Sequence, residues 1–566
     1  MNFSYDQTTG WLATTTFDRG TTSLGYYSDG QLHTITTPEG NVVSYGYNGP
    51  LVTSEAWSGA VSGSESWSYN NDLLVGTQTV DGSTTTYGYD NDGLITSLAV
   101  GSGSMTLTPD PTTGQLDGTT AGAVNDGYTY YPDGSIHHYT ATGPSGALYD
   151  LDYTRDTLDR VTVKKETLAG TTHTYAYTYW PDGELWQVYR DKLNSTGDGP
   201  PTDPSVVADV TYTYDANGNR SSRTLADSSS STAIVDAQDR LTGYGLYTYT
   251  YDDKGSLATK SDNSQPSLPP TKYTYDELGN LTHVEKPDGT TIDYIIDGEN
   301  RRVAKQVNGV ITDTYFYDGL GRLVQWTDAN DGQALFVYAE HSNVPSYMYR
   351  AGNDYRIITD QLGSPRLVVW TNNPYDNEVV EEIDYDEFGN VTRDTSPGFI
   401  PFGFAGGLYD QDTGLVRFGA RDYDPQSGRW TAKDPILFAG GETSLYGYAG
   451  EDPQNGTDPS GLLVVAGDRA GLELLQSLSS YPEGDELLMY LQFSPITYTV
   501  YGSAPMSGGP EGTVPPAGMF GRYQCPGAAP EDQIVRVLDS PLICMGRRYP
   551  RLGMSLAMLL SMITST

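Results

Sequence analysis

Disulfides cannot hold most of this chain together. Only two of its 566 residues are cysteines, Cys525 and Cys544, both near the C-terminus. They suit either a disulfide or two buried thiols, and so leave the redox compartment open. Basic residues are also scarce: 32 Lys and Arg face 72 Asp and Glu, for a formal charge of −40. That balance argues against nucleic-acid binding by the bulk of the chain. The six histidines are His33, His137, His138, His173, His283 and His341. His137 and His138 are consecutive, and consecutive strand residues face opposite sides, so they make no ligand pair. No glycine-rich phosphate loop opens a helix and no Gly-x-Ser-x-Gly elbow is present, so neither a metal nor a cofactor is expected. Long apolar runs are missing too. The most apolar stretch, "LGMSLAMLLSMIT" from Leu552, is too short to span a bilayer, and no transmembrane segment is expected. The opening "MNFSYDQTTGWLATTTFDRG" has neither the basic nor the apolar region of a signal peptide. Secretion or surface display is therefore expected to need a dedicated export system or another polypeptide.

Tyrosine and glycine are abundant. The chain has 45 tyrosines and 65 glycines against 12 phenylalanines, a balance that suits turn-rich β-structure with amphipathic aromatics. The phrase "YTYDELGNLTHV" at 273 shows how they are used. Alternating Tyr-x-Tyr fits a half-buried strand. Asp276 caps a turn, and Gly279 takes the positive φ that a short hairpin needs. The phrase returns as "YGYDNDGLITSL" at 87, "YTYYPDGSI" at 128, "YTYWPDGEL" at 177 and "YTYDANGNR" at 212. It returns again as "YTYDDKGSL" at 249, "YFYDGLGRL" at 315 and "IDYDEFGNV" at 383. One such hairpin cannot bury its tyrosine face alone, so neighbours must pair edge to edge. The fold class expected is all-β: one continuous antiparallel sheet, coiled or closed on itself. Hydrophobic content of 37% is low for a solid core and favours a thin or hollow architecture.

These repeats resemble the tyrosine-aspartate repeats of the Rhs/YD-repeat family, which includes bacterial Rhs toxins, the C component of Tc toxins and the shell of teneurins. "DYRIITDQLGSPRLVVW" (354–370) and "YDEFGNV" (385–391) look like the start of the Rhs-associated core. "FAGGLYDQDTGLVRFGARDYDPQSGRWTAKDPI" (404–436) and "SLYGYAGEDPQNGTDPSGL" (444–462) look like its remainder. The resemblance stops after "DPSGL". It implies a sheet spiralling into a hollow shell over residues 1–350, an associated core over 351–462, and a variable cargo over 463–566. The shell would enclose its own C-terminal segment. Because the first residues fall in mid-repeat, a second, shell-completing or delivery protein is an expected partner, as is an immunity protein.

Asp422, Asp424, Asp434, Asp452 and Asp458 crowd the end of the core, with Arg421 and Arg429 among them. Two close carboxylates cannot both ionise cheaply; they share a proton, one serving as base and the other as acid. Four of these aspartates precede proline, however, and Asp-Pro is ordinary turn chemistry. By resemblance to the family, Arg421, Asp422 and Asp434 serve an intramolecular aspartic protease. Asp458, Pro459, Gly461 and Leu462 form its cleavage-site motif, cut after Leu462. Asp422 and Asp434 are then expected to share the proton. Leu437 and Phe438 stand where the family commonly has Gly and Leu, so a positive φ there would strain leucine.

From Leu463 the pattern changes. Leucines at helical spacing lead into a Gly/Pro-rich tract and a short basic, then apolar, end. A short, partly helical and irregular region is expected. It contains neither histidine nor lysine, which excludes histidine-dependent nucleases and His-containing zinc deaminases. The main functional expectation is a Rhs/Tc-type encapsulating toxin that releases this segment. The alternative is a non-toxic, adhesive, teneurin-like surface protein.

Overall fold

The computed structural model describes residues 1–340, 343–371, 379–440, 443–462, 533–535 and 543–545. Residues Met1–Pro435 and Thr443–Gly461 make up one compact unit. Its repeats fold as strand, tight loop and returning strand. In the loop after Tyr275, the Asp276 carboxylate accepts the N–H groups of Leu278 at 2.8 Å and Asn280 at 2.9 Å. The loops at Asp318, Asp360 and Asp386 repeat this pattern. The carboxylate thus pairs loop donors that the ladder cannot reach, while Gly279 takes φ +91° at no steric cost.

The last tyrosine before the loop has its own task. At each loop the returning strand slips register by one residue, as between Ser68 and Tyr69 opposite Val75. Such a bulge disturbs the ladder. The carbonyl where pairing resumes is capped by the next repeat's tyrosine hydroxyl: Tyr89 donates to Val75 at 2.8 Å, Tyr317 to Arg302 at 2.7 Å and Tyr338 to Leu323 at 3.0 Å. Tyr26, Tyr69, Tyr130, Tyr179 and Tyr214 do the same. Phenylalanine would pack as well but could not donate, which accounts for its scarcity.

Thirty-six strands, from Asn2–Tyr5 to Val391–Asp394, form one sheet. Its pairings are antiparallel and join strands adjacent in the chain. The sheet is therefore a long meandering ribbon. Among the described residues no ladder closes it; side chains bring distant parts of it together instead. One apolar cluster joins Ile35–Ala121 to Val303–Phe402, and a second joins Val124–Tyr212 to Ile358–Phe388. Ion pairs cross the same contact: Arg356 to Asp126 at 2.9 Å and Arg366 to Glu166 at 3.2 Å, both buried, and the exposed Arg190 to the buried Glu387 at 2.9 Å. The expected all-β sheet is present, coiled rather than sealed by hydrogen bonds.

Helix among the described residues is confined to three short 3₁₀ turns. The second unit includes Leu437, whose φ is +55°, the left-handed value that glycine takes freely and leucine does not. It also includes the antiparallel strand pair Gln533–Val535 and Ile543–Met545. The helical pattern expected from Leu463 onward falls outside the described residues.

Candidate active site

A small separate sheet carries the candidate residues: Leu408–Asp410, Leu415–Phe418, Arg421–Asp424 and Arg429–Trp430. Phe418 pairs with Arg421, so the hairpin turns through Gly419 and Ala420. Gly419 has φ +36°, and a Cβ there would lie 2.3 Å from the Ser460 carbonyl oxygen. The Ala420 N–H donates to that same oxygen at 2.9 Å. Gly461 has φ +67°, and a Cβ on it would lie 2.6 Å from the Phe418 oxygen. Two glycines thus allow the turn Asp458–Gly461 to dock directly on the hairpin. The sequence-predicted cleavage motif meets the predicted protease segment here. Pro459 lies within this turn, and Leu462 follows it directly.

Arg421 is the hub. Its Nε donates to the Gly461 carbonyl. Its Nη2 pairs with Asp434 at 3.1 Å and with Asp458 at 3.2 Å. All three side chains are at least 92% buried, with relative exposures of 3%, 8% and 2%. The guanidinium stacks 4.1 Å from the Trp430 ring centroid, and Trp430 belongs to an aromatic nest with Phe404, Phe418, Tyr423 and Tyr448. A planar guanidinium both stacks and forks, so this position suits arginine and not lysine. Arg421, Asp434, Asp458 and Gly461 are brought together as the sequence suggested. Trp430 was not singled out there; its only sequence signal was an aromatic within reach of Arg421 across the next turn.

Asp422 is the residue that the geometry sets apart. Arg421 and Asp422 are consecutive in an extended strand, so their side chains face opposite ways. Asp422 accepts from Arg302 Nη2 at 2.8 Å and Arg417 Nη1 at 2.9 Å and is 1% exposed. Burial opposes the charge on both arginines; Asp422 holds Arg302 above its ordinary pKa, whereas Arg417, with Arg302 beside it, falls below. The expected Asp422–Asp434 pair is therefore not what the fold assembles. The two carboxylates on one guanidinium are Asp434 and Asp458.

The other acidic residues keep their turn roles. The Asp424 carbonyl accepts from the Gly428 N–H at 2.8 Å and the Asp452 carbonyl from Gly456 at 3.0 Å. Burial pushes the Asp452 carboxyl up to about 6, against hydrogen bonds from Asn455. His137 and His138 likewise have separate partners: His138 pairs with Asp150 at 3.1 Å, and the His137 ring lies 4.6 Å from that of Tyr131. Among the described residues no cluster of His, Cys, Asp and Glu fits a metal ion. No helix among them is long and apolar enough to cross a membrane.

A family model described as Teneurin YD-shell matches residues 1–453. Mouse teneurin-3 is 26% identical over 469 residues, which cover 77% of this chain and 15% of that protein. The tRNA3(Ser)-specific nuclease WapA of Bacillus spizizenii is 30% identical over 284 residues, 46% of this chain and 11% of its own length. The chain thus spans a small fraction of either relative. The crystal structure of TcdB2-TccC3 aligns over 80% of this chain and 28% of that one, with a TM-score of 0.55 at 16% identity. At that identity the likeness is one of fold. With its tyrosine-capped aspartate loops and a family match over four-fifths of its length, the chain belongs to the teneurin YD-shell family, the Rhs/YD-repeat kind of β-shell.

Proposed function

We propose that this chain is an encapsulating shell that cuts itself after Leu462 and so releases the segment beginning at Leu463 as its cargo. One observation carries the reading: Arg421 holds the carbonyl of Gly461 and, with the same guanidinium, two buried carboxylates. Leu462 is the next residue, so its carbonyl carbon is about 4 Å along the chain from the fixed one. Two carboxylates sharing one guanidinium favour a state with one ionised and one protonated. The ionised carboxylate takes a proton from water as the water oxygen attacks the Leu462 carbonyl carbon. Its partner gives its proton to the carbonyl oxygen. When the intermediate collapses, the carboxyl that took the water proton gives it to the Leu463 nitrogen as the C–N bond breaks, and its partner carboxylate takes a hydroxyl proton from the intermediate, which restores the pair. No cofactor or metal enters these steps. Arg421 fixes the backbone next to the bond and keeps one aspartate charged.

In this reading Asp434 and Asp458 are the acid–base pair, and Asp422 supports them from behind. Purified wild-type protein should separate under denaturing conditions into two pieces, while Asp434→Asn and Asp458→Asn remain one chain. An uncut wild-type protein, or a cut that survives both substitutions, would refute the assignment. Secretion or surface display, a delivery or shell-completing partner and an immunity protein all accompany a released toxic cargo. A second reading has support of its own, because the matching family model is a teneurin shell. An adhesive surface shell would stay intact, so the same gel separates the two readings.

A further inference from the structure

Two distant stretches of the ribbon meet where the paired strands Leu51–Ser58 and Gly63–Tyr69 dock on residues 297–325. The Trp57 ring lies 5.0 Å from that of Phe316, and its Nε1 donates to Asp297 at 3.3 Å. Gly63 comes so near that a Cβ on it would lie 2.4 Å from the Phe316 ring. Inside this seam stand two glutamates. Glu55 and Glu65 are directly opposite each other on the paired strands, and each is 1% exposed. Like charges so placed repel.

Glu55 has a counterion. Arg301 reaches it at 2.5 Å and also holds Asp297 at 2.7 Å and Glu299 at 2.8 Å. Tyr45 donates its hydroxyl to Glu299 as well. Arg322 is taken by Asp318 at 2.7 Å, and Asp81 accepts from Gln325 at 3.1 Å. Glu65 is left with neutral company. Its Oε1 accepts from Gln78 at 2.6 Å, and Gln78 accepts in turn from the Tyr87 hydroxyl at 2.7 Å. Its Oε2 is buried with no hydrogen-bond partner among the described residues. A buried carboxylate without a counterion takes up a proton instead of bearing its charge. Burial raises Glu65 well above the ordinary carboxylate range, with Asp318 and Glu55 adding to it against Gln78 and Arg301. Burial raises Glu55 too, to about 7, against the pull of Arg301.

We propose that Glu65 is a proton-binding site that governs this seam: protonated, it lets strands 51–69 stay docked on residues 297–325, and deprotonated, it drives them apart. None of its neighbours belongs to the cleavage machinery, so it works whether or not the chain cuts itself. An acid whose docked pKa is raised holds its proton more tightly when docked. Its contribution is full below the undocked value, about 4.3 for glutamate, and is lost as pH rises through the docked one. The seam is therefore tightest in acid and loosens towards alkaline pH.

Amide hydrogen exchange of the full chain between pH 5 and pH 9, corrected for the intrinsic pH dependence of exchange, tests this. Protection of residues 51–69 is compared with that of 241–262, which pack in a different apolar cluster. One linked proton changes the docking equilibrium by up to about tenfold per pH unit. In wild-type protein, protection of 51–69 should fall with pH relative to the reference segment. Glu65→Gln keeps the shape and cannot ionise, so its protection relative to wild type should climb by up to about tenfold per unit. A ratio that stays constant would overturn the proposal. A climb in Glu55→Gln alone would overturn it by assigning the proton to Glu55. Equal loss of protection in both segments would mean general unfolding and would overturn it as well. If Glu65→Gln does not fold, the wild-type comparison decides: protection of 51–69 that holds steady against the reference across this range would refute the site.

Discussion

One chemical change, Tyr→Phe, should have opposite effects at two places in this sheet. Tyr317 is 7% exposed, and its hydroxyl donates to the Arg302 carbonyl at 2.7 Å. Tyr317→Phe keeps the ring and its packing but strands that carbonyl at the bulge. Leaving a buried acceptor unmet costs about 1–3 kcal/mol. Tyr249 is 5% exposed, yet its hydroxyl has no protein hydrogen-bond partner. Tyr249→Phe removes a buried polar group that already bears that penalty, so it should be neutral or stabilising by up to about 1 kcal/mol. Urea unfolding of the full chain, followed by tyrosine fluorescence, reads both. The midpoint should fall for Tyr317→Phe and hold or rise for Tyr249→Phe, with the slope unchanged. A midpoint that falls equally in both would mean that ring packing, not the hydroxyl cap, explains the repeated tyrosine.

Gly461→Ala should loosen the docked turn, because its Cβ would meet the Phe418 oxygen at 2.6 Å and the Arg421 nitrogen at 2.9 Å at a φ of +67°; amide exchange at Ala420 should quicken, and unchanged exchange would refute the docking. Glu381 gives a pH test. Burial, with Asp394 adding to it, pushes its carboxyl up to about 9. An acid whose folded pKa lies above its unfolded one binds protons more tightly when folded, so its contribution is full below the unfolded pKa and is lost as pH rises through about 9. Glu381→Gln should therefore gain stability relative to wild type between pH 5 and pH 9 in urea midpoints, and a constant difference would contradict the assignment.

The repeats were legible because each is local. Tyr275, Asp276 and Gly279 lie within five residues, and strand period, turn capping and positive φ can all be read from that window. What the window hides is the second use of the tyrosine, since the carbonyl it caps lies 14 residues back for Tyr89 and 15 for Tyr317. The site was legible in part. Arg421, Asp434 and the Asp458–Gly461 turn were found through motif resemblance. That Arg421 and Asp422 point apart follows from strand geometry alone. The partner of Asp422 could not be read, because Arg302 lies 120 residues away and no local pattern marks it. The ordinary turn reading held for Asp424 and Asp452, whose carbonyls close their own loops.

Terminal sequencing of the purified, full-length wild-type protein after incubation at neutral pH tests the central claim most directly. The buried pair on Arg421 predicts a new N-terminus at Leu463. Asp-Pro bonds also break in acid without catalysis, so new termini at Pro435 or Pro459 would mean chemical lability. Either of those, or a chain that stays whole, would contradict self-cleavage.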